Sequence, residues 1–300
     1  MLIELLPLPT SNSQNQTWAQ CLGAGGALAI AEAAESSPHP LLVLVESTDA
    51  ALTLKAELQF FLANSDLRVH MLPDWEILPY DSFSAHPDIT SERVQTLNAI
   101  STIEQGIILV PIITLLHRLA PTNYLAANSF SLHTGQDLQP EAFRTRLEQA
   151  GYQHTDTVFQ AGEYAVRGSL IDLYAMGSHA PLRIELFDDE IESLRHFDPD
   201  NQRTTEVIER FHLLPAREFP LTEQAIKQFR QAFNAQFQVE ANNCPIYQDV
   251  SRGLAPAGIE YYIPLFYNLH MSTLLDYVPA TARIIRVGDL QPAIEHFWQD

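Results

Sequence analysis

Several groups of side chains in this sequence have types and spacings that invite chemistry. The run Leu22-Gly23-Ala24-Gly25-Gly26-Ala27-Leu28-Ala29 precedes the first strong strand and has the glycines of a phosphate-binding loop. Such a loop also needs a lysine for the β/γ oxygens and a serine or threonine for Mg²⁺. Neither is present, so the run reads as a tight turn or helix start, and nucleotide hydrolysis is not expected of it. The acidic run Asp188, Asp189, Glu190, Glu192 has the look of a metal or acid/base cluster. Hairpin turns favour Asp, however, and alternation sends Glu190 and Glu192 to one face, which makes a solvated turn. No oxygen-ligand spacing supports Ca²⁺. The eleven histidines lie singly, without an H-x-x-x-H pair or a cysteine partner, and no G-x-S-x-G elbow occurs. No catalytic, cofactor-binding or metal-binding residue is therefore expected in this chain.

The remaining group suits binding rather than catalysis. In Leu182-Arg183-Ile184-Glu185-Leu186-Phe187 the period is two, so Leu182, Ile184 and Leu186 share the core face of a strand. Arg183, Glu185 and Phe187 then share the outer face. An aromatic beside an arginine is the composition of a binding hot spot. Alternation alone leaves two readings open for Phe187: cover by another element of the same fold, or an anchor for a partner.

The elements that must position these residues fall into three stretches. Between 17 and 120 strand and helix alternate: a helix over Trp18–Glu35, the apolar strand Leu41–Glu46, a helix capped by Ser47, Thr48 or Asp49, a strand over Arg68–Leu72, a helix over Ile89–Gln105 and the strand Gly106–Pro111. This βαβαβ series predicts an α/β layer on a parallel sheet. After Pro121 and Asn123 one helix (140–150) precedes strands near 153–159, 163–175, 181–187 and 190–197, a compact α+β insert. After Leu213-Leu214-Pro215-Ala216 a helix over Thr222–Phe237 leads to strands at Tyr261–Pro264 and Ile284–Val287. The expected domains are 1–122, 123–213 and 214–300. The last stretch ends at Gln291–Asp300 inside a helical pattern with no capping glycine, which predicts a longer parent protein.

Composition narrows the partners. The chain has 300 residues, a net charge of −20 and 46% hydrophobic residues, with only Lys55 and Lys227 against fifteen arginines. That field repels phosphate backbones, so broad DNA or RNA binding is not expected, whereas a local arginine patch suits a protein interface. Cys21 and Cys244 match no ligand spacing and read as reduced thiols. The N-terminal run MLIELLPLPTSNSQ has no basic segment followed by a long apolar one, and no stretch approaches a membrane span. A soluble, cytoplasmic protein is expected.

The segments Leu72–Ser84 (LPDWEILPYDSFS), Gly162–Leu173 (GEYAVRGSLIDL), Leu213–Pro220 (LLPAREFP) and Ala255–Tyr262 (APAGIEYY) closely resemble the N-terminal, UvrB-homologous region of bacterial transcription-repair coupling factors. The resemblance covers nearly the whole chain in order. It implies a UvrB-like module, in which a helicase-like parallel α/β domain is interrupted by a small α+β inserted domain. It further implies a non-catalytic recruitment role: binding UvrA and so bringing nucleotide excision repair to stalled RNA polymerase. The full-length protein would be an ATP-dependent translocase on double-stranded DNA. RNA polymerase, DNA, ATP and Mg²⁺ would all be engaged by domains outside this chain. The alternative, a UvrB-like ATPase or helicase fragment acting on damaged DNA, is weakened by the absent loop lysine. It is weakened again by the short path from Tyr80-Asp81 to the next helix, which leaves no room for UvrB's aromatic β-hairpin. Carried over by motif, the UvrA contact falls on Arg167, Arg183 and Phe187. Arg167 enters only through the resemblance; from its own neighbours it reads equally as a structural arginine paired with Glu163 or Asp172. The same face could also dock intramolecularly on a later domain.

Overall fold

The computed structural model describes residues 17–19, 21–78, 81–237 and 240–299. The N-terminal run 1–16, with the leader reading made on it, and Pro79 and Tyr80 of the second motif lie outside the described residues. In chain order the elements are α1 (Gly25–Ser36), β1 (Leu41–Val45), α2 (Thr48–Phe61), β2 (Val69–Met71), α3 (Pro87–Ile100), β3 (Ile107–Pro111), α4 (Ile112–Leu116) and α5 (Thr122–Asn128). Next come β4 (Phe130–His133), α6 (Pro140–Ala150), β5 (Gln153–His154), β6 (Glu163–Arg167), β7 (Leu170–Leu173), β8 (Leu182–Phe187), β9 (Glu190–Phe197), β10 (Thr204–Ile208) and β11 (Arg210–Leu213). The chain continues with α7 (Glu223–Gln236), α8 (Pro245–Ser251), α9 (Leu274–Tyr277), β12 (Arg283–Arg286) and α10 (Gln291–Phe297). Among the described residues no helix is long and apolar enough to cross a membrane.

The chain divides into two compact units that interleave in sequence. One comprises 1–74, 96–117 and 273–300; the other comprises 75–95 and 118–272. The first holds a parallel sheet in the order β12-β1-β3-β2. Its central strands, LLVLV and IILVP, are buried at every position, as strands covered on both faces must be. Ala27, Ile30, Ala31 and Ala34 of α1 and Leu54 and Leu58 of α2 form one core cluster with Leu41, Val43, Ile107 and Leu109 of the sheet. Ser47 caps α2 by accepting the Ala50 N–H at 3.2 Å. The helix expected from Trp18 begins only at Gly25, after Gly23 at φ +55°, so the glycine-rich run is a helix start.

The second unit carries a six-stranded sheet, β10-β9-β8-β7-β6-β5, antiparallel except for the short β5–β6 pair. Helix α6 buries Phe143, Leu147 and Ala150, and Glu148 accepts the Tyr164 hydroxyl at 2.9 Å, which places the helix on the Tyr164 face of the sheet. That face is lined by Ile171, Leu173, Leu182, Ile184, Leu186, Ile191 and Leu194, all buried. The strand expected over 163–175 is two strands, because Gly168 turns the chain at φ +63°. In the ladder between β8 and β9, Glu185 faces Ser193 while Leu186 faces Ile191, so Glu192 is an extra, unopposed residue. The bulge keeps both Ile191 and Leu194 on the buried face.

A second cluster in this unit joins Phe229 and Phe233 of α7, Tyr247 and Val250 of α8, and Ile263, Leu265 and Phe266. The strand expected at Tyr261–Pro264 is instead part of a 3₁₀ segment, Glu260–Tyr267. A short apolar run does not by itself distinguish strand from buried helix, and no neighbouring strand is there to pair with it. Gly258, in the APAG motif just before it, has φ +78°, and a Cβ there would lie 2.1 Å from the Asp81 carbonyl oxygen. Gly258→Ala therefore combines left-handed backbone strain with a clash against main chain. It is expected to destabilise the protein by about 2–4 kcal/mol, read as a lower urea midpoint at unchanged m-value.

Candidate protein-binding site

The face of the six-stranded sheet opposite α6 is built around one carboxylate. Asp172 points out of β7 between two neighbours, opposite Ala165 on β6 and Arg183 on β8, and its side chain is completely buried. A carboxylate removed from water must be paired and hydrogen-bonded. Arg183 does this bidentately: Nε donates to Oδ1 at 2.7 Å and Nη2 to Oδ2 at 2.9 Å. Arg167, from the end of β6, donates to the same Oδ2. Of the two pairings open to Arg167 in the sequence, the structure shows Asp172; Glu163 instead accepts the N–H groups of Phe159 and Gln160.

The two arginines differ in what they leave free. Arg183 keeps only 18% of its side chain exposed; its Nη1 donates to the Gln202 carbonyl at 3.1 Å, and its guanidinium lies 4.7 Å from the Phe197 ring centre. The hydrogen bond to Asp172 raises its pKa, so it is a permanent cation. Arg167 stands beside the hairpin turn at Gly168-Ser169 with 47% of its side chain exposed. No atom lies within 4 Å of a Cβ built on Gly168, so that glycine serves the turn rather than a close approach within the fold.

Phe187 ends β8 and is 69% exposed, so nothing in its own unit covers it as the alternative reading required. The backbone that carries it is nonetheless fixed. Phe187 pairs with Glu190 across a two-residue turn in which Asp188 takes φ +53°. The turn is tied to the segment before α6: Leu138 N–H donates to the Asp189 carbonyl at 2.6 Å and the Gln139 side-chain amide to the Asp189 carboxylate at 2.8 Å. The acidic run is thus a braced turn. Among the described residues no group of three or more His, Cys, Asp or Glu could hold a metal ion.

The same face extends further than the sequence predicted. Arg195 of β9 lies directly opposite Arg183, with a long 3.8 Å contact to Glu185, and exposed Val207 of β10 lies opposite Arg195. Both escaped detection, Arg195 because the bulge at Glu192 breaks the alternation of β9, and Val207 because β10 is a largely polar edge strand.

In its exposed parts the surface offers an aromatic on a braced turn, a half-exposed guanidinium and a neutralised polar floor. A family model described as the UvrB interaction domain matches residues 130–219, the stretch that contains this sheet. The chain is 43% identical over 293 residues to the transcription-repair-coupling factor of Escherichia coli (strain K12), an alignment covering 98% of the chain and 25% of the relative. It is 40% identical over 294 residues to that of Haemophilus influenzae, with the same coverage, and 33% identical over 250 residues to that of Myxococcus xanthus. The chain thus spans about a quarter of the length of the first two relatives.

The geometry separates the two arginines experimentally. Asp172→Ala leaves Arg183 largely buried without its anion and is expected to cost about 3 kcal/mol of stability. Arg167→Ala, at an exposed and redundant pairing, is expected to cost less than about 1 kcal/mol. Urea unfolding of both variants measures the difference.

Proposed function

The chain is homologous to the N-terminal region of the transcription-repair-coupling factors along almost all of its own length, and on that premise we propose that it is the recruiting module of such a protein and captures UvrA through the outer face of its six-stranded sheet. The observation that carries this reading is Phe187, a large apolar side chain held in water on a braced hairpin. A rigid aromatic needs little ordering on binding, so most of the gain from burying it against a partner is retained.

In this reading Phe187 fills an apolar pocket on UvrA and Arg167 directs its free N–H groups to an acceptor there. Arg183 contributes its remaining exposed edge, but its larger task is to hold Asp172. The match to a UvrB interaction domain supports the assignment, since a surface shared with UvrB would address the same partner. The module itself does no catalysis. The glycine-rich run at the start of α1 lacks the lysine of a phosphate-binding loop, which supports a module without nucleotide chemistry of its own. The wider activity, ATP-driven translocation on double-stranded DNA against stalled RNA polymerase, belongs in this proposal to the rest of the longer protein.

Phe187→Ala is expected to weaken capture of purified UvrA by roughly thirty-fold or more while leaving the thermal midpoint within about a degree or two, because an exposed side chain contributes little to the fold. Arg183→Ala is expected to lose binding and stability together, since it strips Asp172 of its bidentate partner; Arg167→Ala isolates the binding contribution. Parental UvrA affinity in both Phe187→Ala and Arg167→Ala would show that another surface is used. The chain is expected to release no phosphate from ATP, and measurable ATP hydrolysis would favour the UvrB-like ATPase reading instead.

A further inference from the structure

The second unit holds a cluster of donors that the UvrA-binding reading does not use. Lys227, Arg230, Gln231 and Asn234 recur on α7 at i, i+3, i+4 and i+7, so they form one stripe along the helix. Together with Tyr247 of α8 they line a hollow of about 190 Å³. The ordinary account of such a stripe is a solvated helix face, with cations answered by neighbouring carboxylates. In a chain with 37 acidic residues against 17 lysines and arginines that answer should be easy to find. Here it is absent: among the described residues neither Lys227 nor Arg230 forms an ion pair. Glu223, one turn earlier on α7, makes no such contact, and Asp249 of α8 is engaged by Arg252 at 3.6 Å.

Tyr247 gives the cluster its direction. Its ring is buried in the core of α7 and α8, and its hydroxyl oxygen receives Arg230 Nε at 3.2 Å and the Asn234 amide at 3.4 Å. A phenol oxygen that accepts two hydrogen bonds still carries one proton, and that proton needs an acceptor elsewhere. The hydrogen bond from Arg230, with a second from Asn234, lowers the phenol's pKa, which makes its O–H a stronger donor. Arg230 retains both Nη groups, Lys227 its ammonium and Gln231 its amide. Each of these residues lines the same hollow and brings at least one hydrogen-bond donor to it.

We propose that this hollow is a binding site for a phosphate-type oxyanion. Donors arriving from an ammonium, a guanidinium edge and a hydroxyl on two different helices suit a tetrahedral anion with several acceptor oxygens better than a planar carboxylate with two. At about 190 Å³ the hollow admits a single phosphate group. It falls short of the roughly 300 Å³ at which pockets for larger ligands begin. The group's source is either free phosphate or the phosphoryl end of a small phosphorylated compound.

Calorimetric titration of the 300-residue chain, at ionic strength held constant with chloride, tests this. Inorganic phosphate is expected to give saturable binding that weakens roughly ten- to hundred-fold in Arg230→Gln and about ten-fold in Tyr247→Phe. Arg230 is exposed and gives Tyr247 only one of its two hydrogen bonds, so its variant is expected to stay folded with a thermal midpoint within a few degrees of the parent's, and it carries the test alone if Tyr247→Phe does not fold. Glycerol 3-phosphate is the second ligand. Binding of both supports a phosphorylated compound as the source, and binding of phosphate alone supports the free anion. No saturable heat with either, or an affinity unchanged by Arg230→Gln, overturns the proposal.

Discussion

The outer face of the six-stranded sheet depends on the burial of Asp172. A carboxylate in the middle of a sheet is costly unless its charge is met at once, and two arginines from the flanking strands meet it. The ion cluster ties β6, β7 and β8 together through side chains as well as through their ladders. It also fixes the orientation of both guanidinium groups before any partner arrives. Arg183 is consumed by this task and Arg167 is not, so one pairing yields both a rigid floor and a free edge.

Much of this was legible in the residue pattern. Period-two alternation in LRIELF put Arg183 and Phe187 on the outer face, and the structure agrees position by position, buried at Leu182, Ile184 and Leu186 and open at Phe187. The continuous apolar runs of β1 and β3 announced a parallel sheet covered on both sides. What failed to show has physical causes. A buried Asp looks like any other Asp until its neighbours across the ladder are known. The edge strand β10 has polar residues at most positions because solvent, not core, lies beside it. The segment 260–267 has the composition of a strand but no ladder to join, and it buries its apolar residues against α7 by coiling instead.

Charge shapes the molecule at a larger scale. With a net charge of −20 and almost no lysine, the surface repels polyanions at long range, yet many of its arginines are placed individually against carboxylates, carbonyls and rings. Arg93 shows the extreme: it is fully buried, bonded to Glu218 at 2.7 Å and lies over Trp75 at 4.5 Å. Guanidinium suits this use because it makes directed bonds and stacks on apolar surfaces, which an ammonium does less well.

The bulge at Glu192 separates two properties of the outer face that are usually bound together. Removing that residue in thought leaves every partnership around it unchanged, with Glu185 still facing Ser193, Leu186 facing Ile191 and Phe187 facing Glu190. What changes is the coiling of the hairpin, since an unopposed residue bends its strand and tightens the local twist. The curvature of this surface can be adjusted by a single insertion or deletion without exchanging any of the side chains it displays.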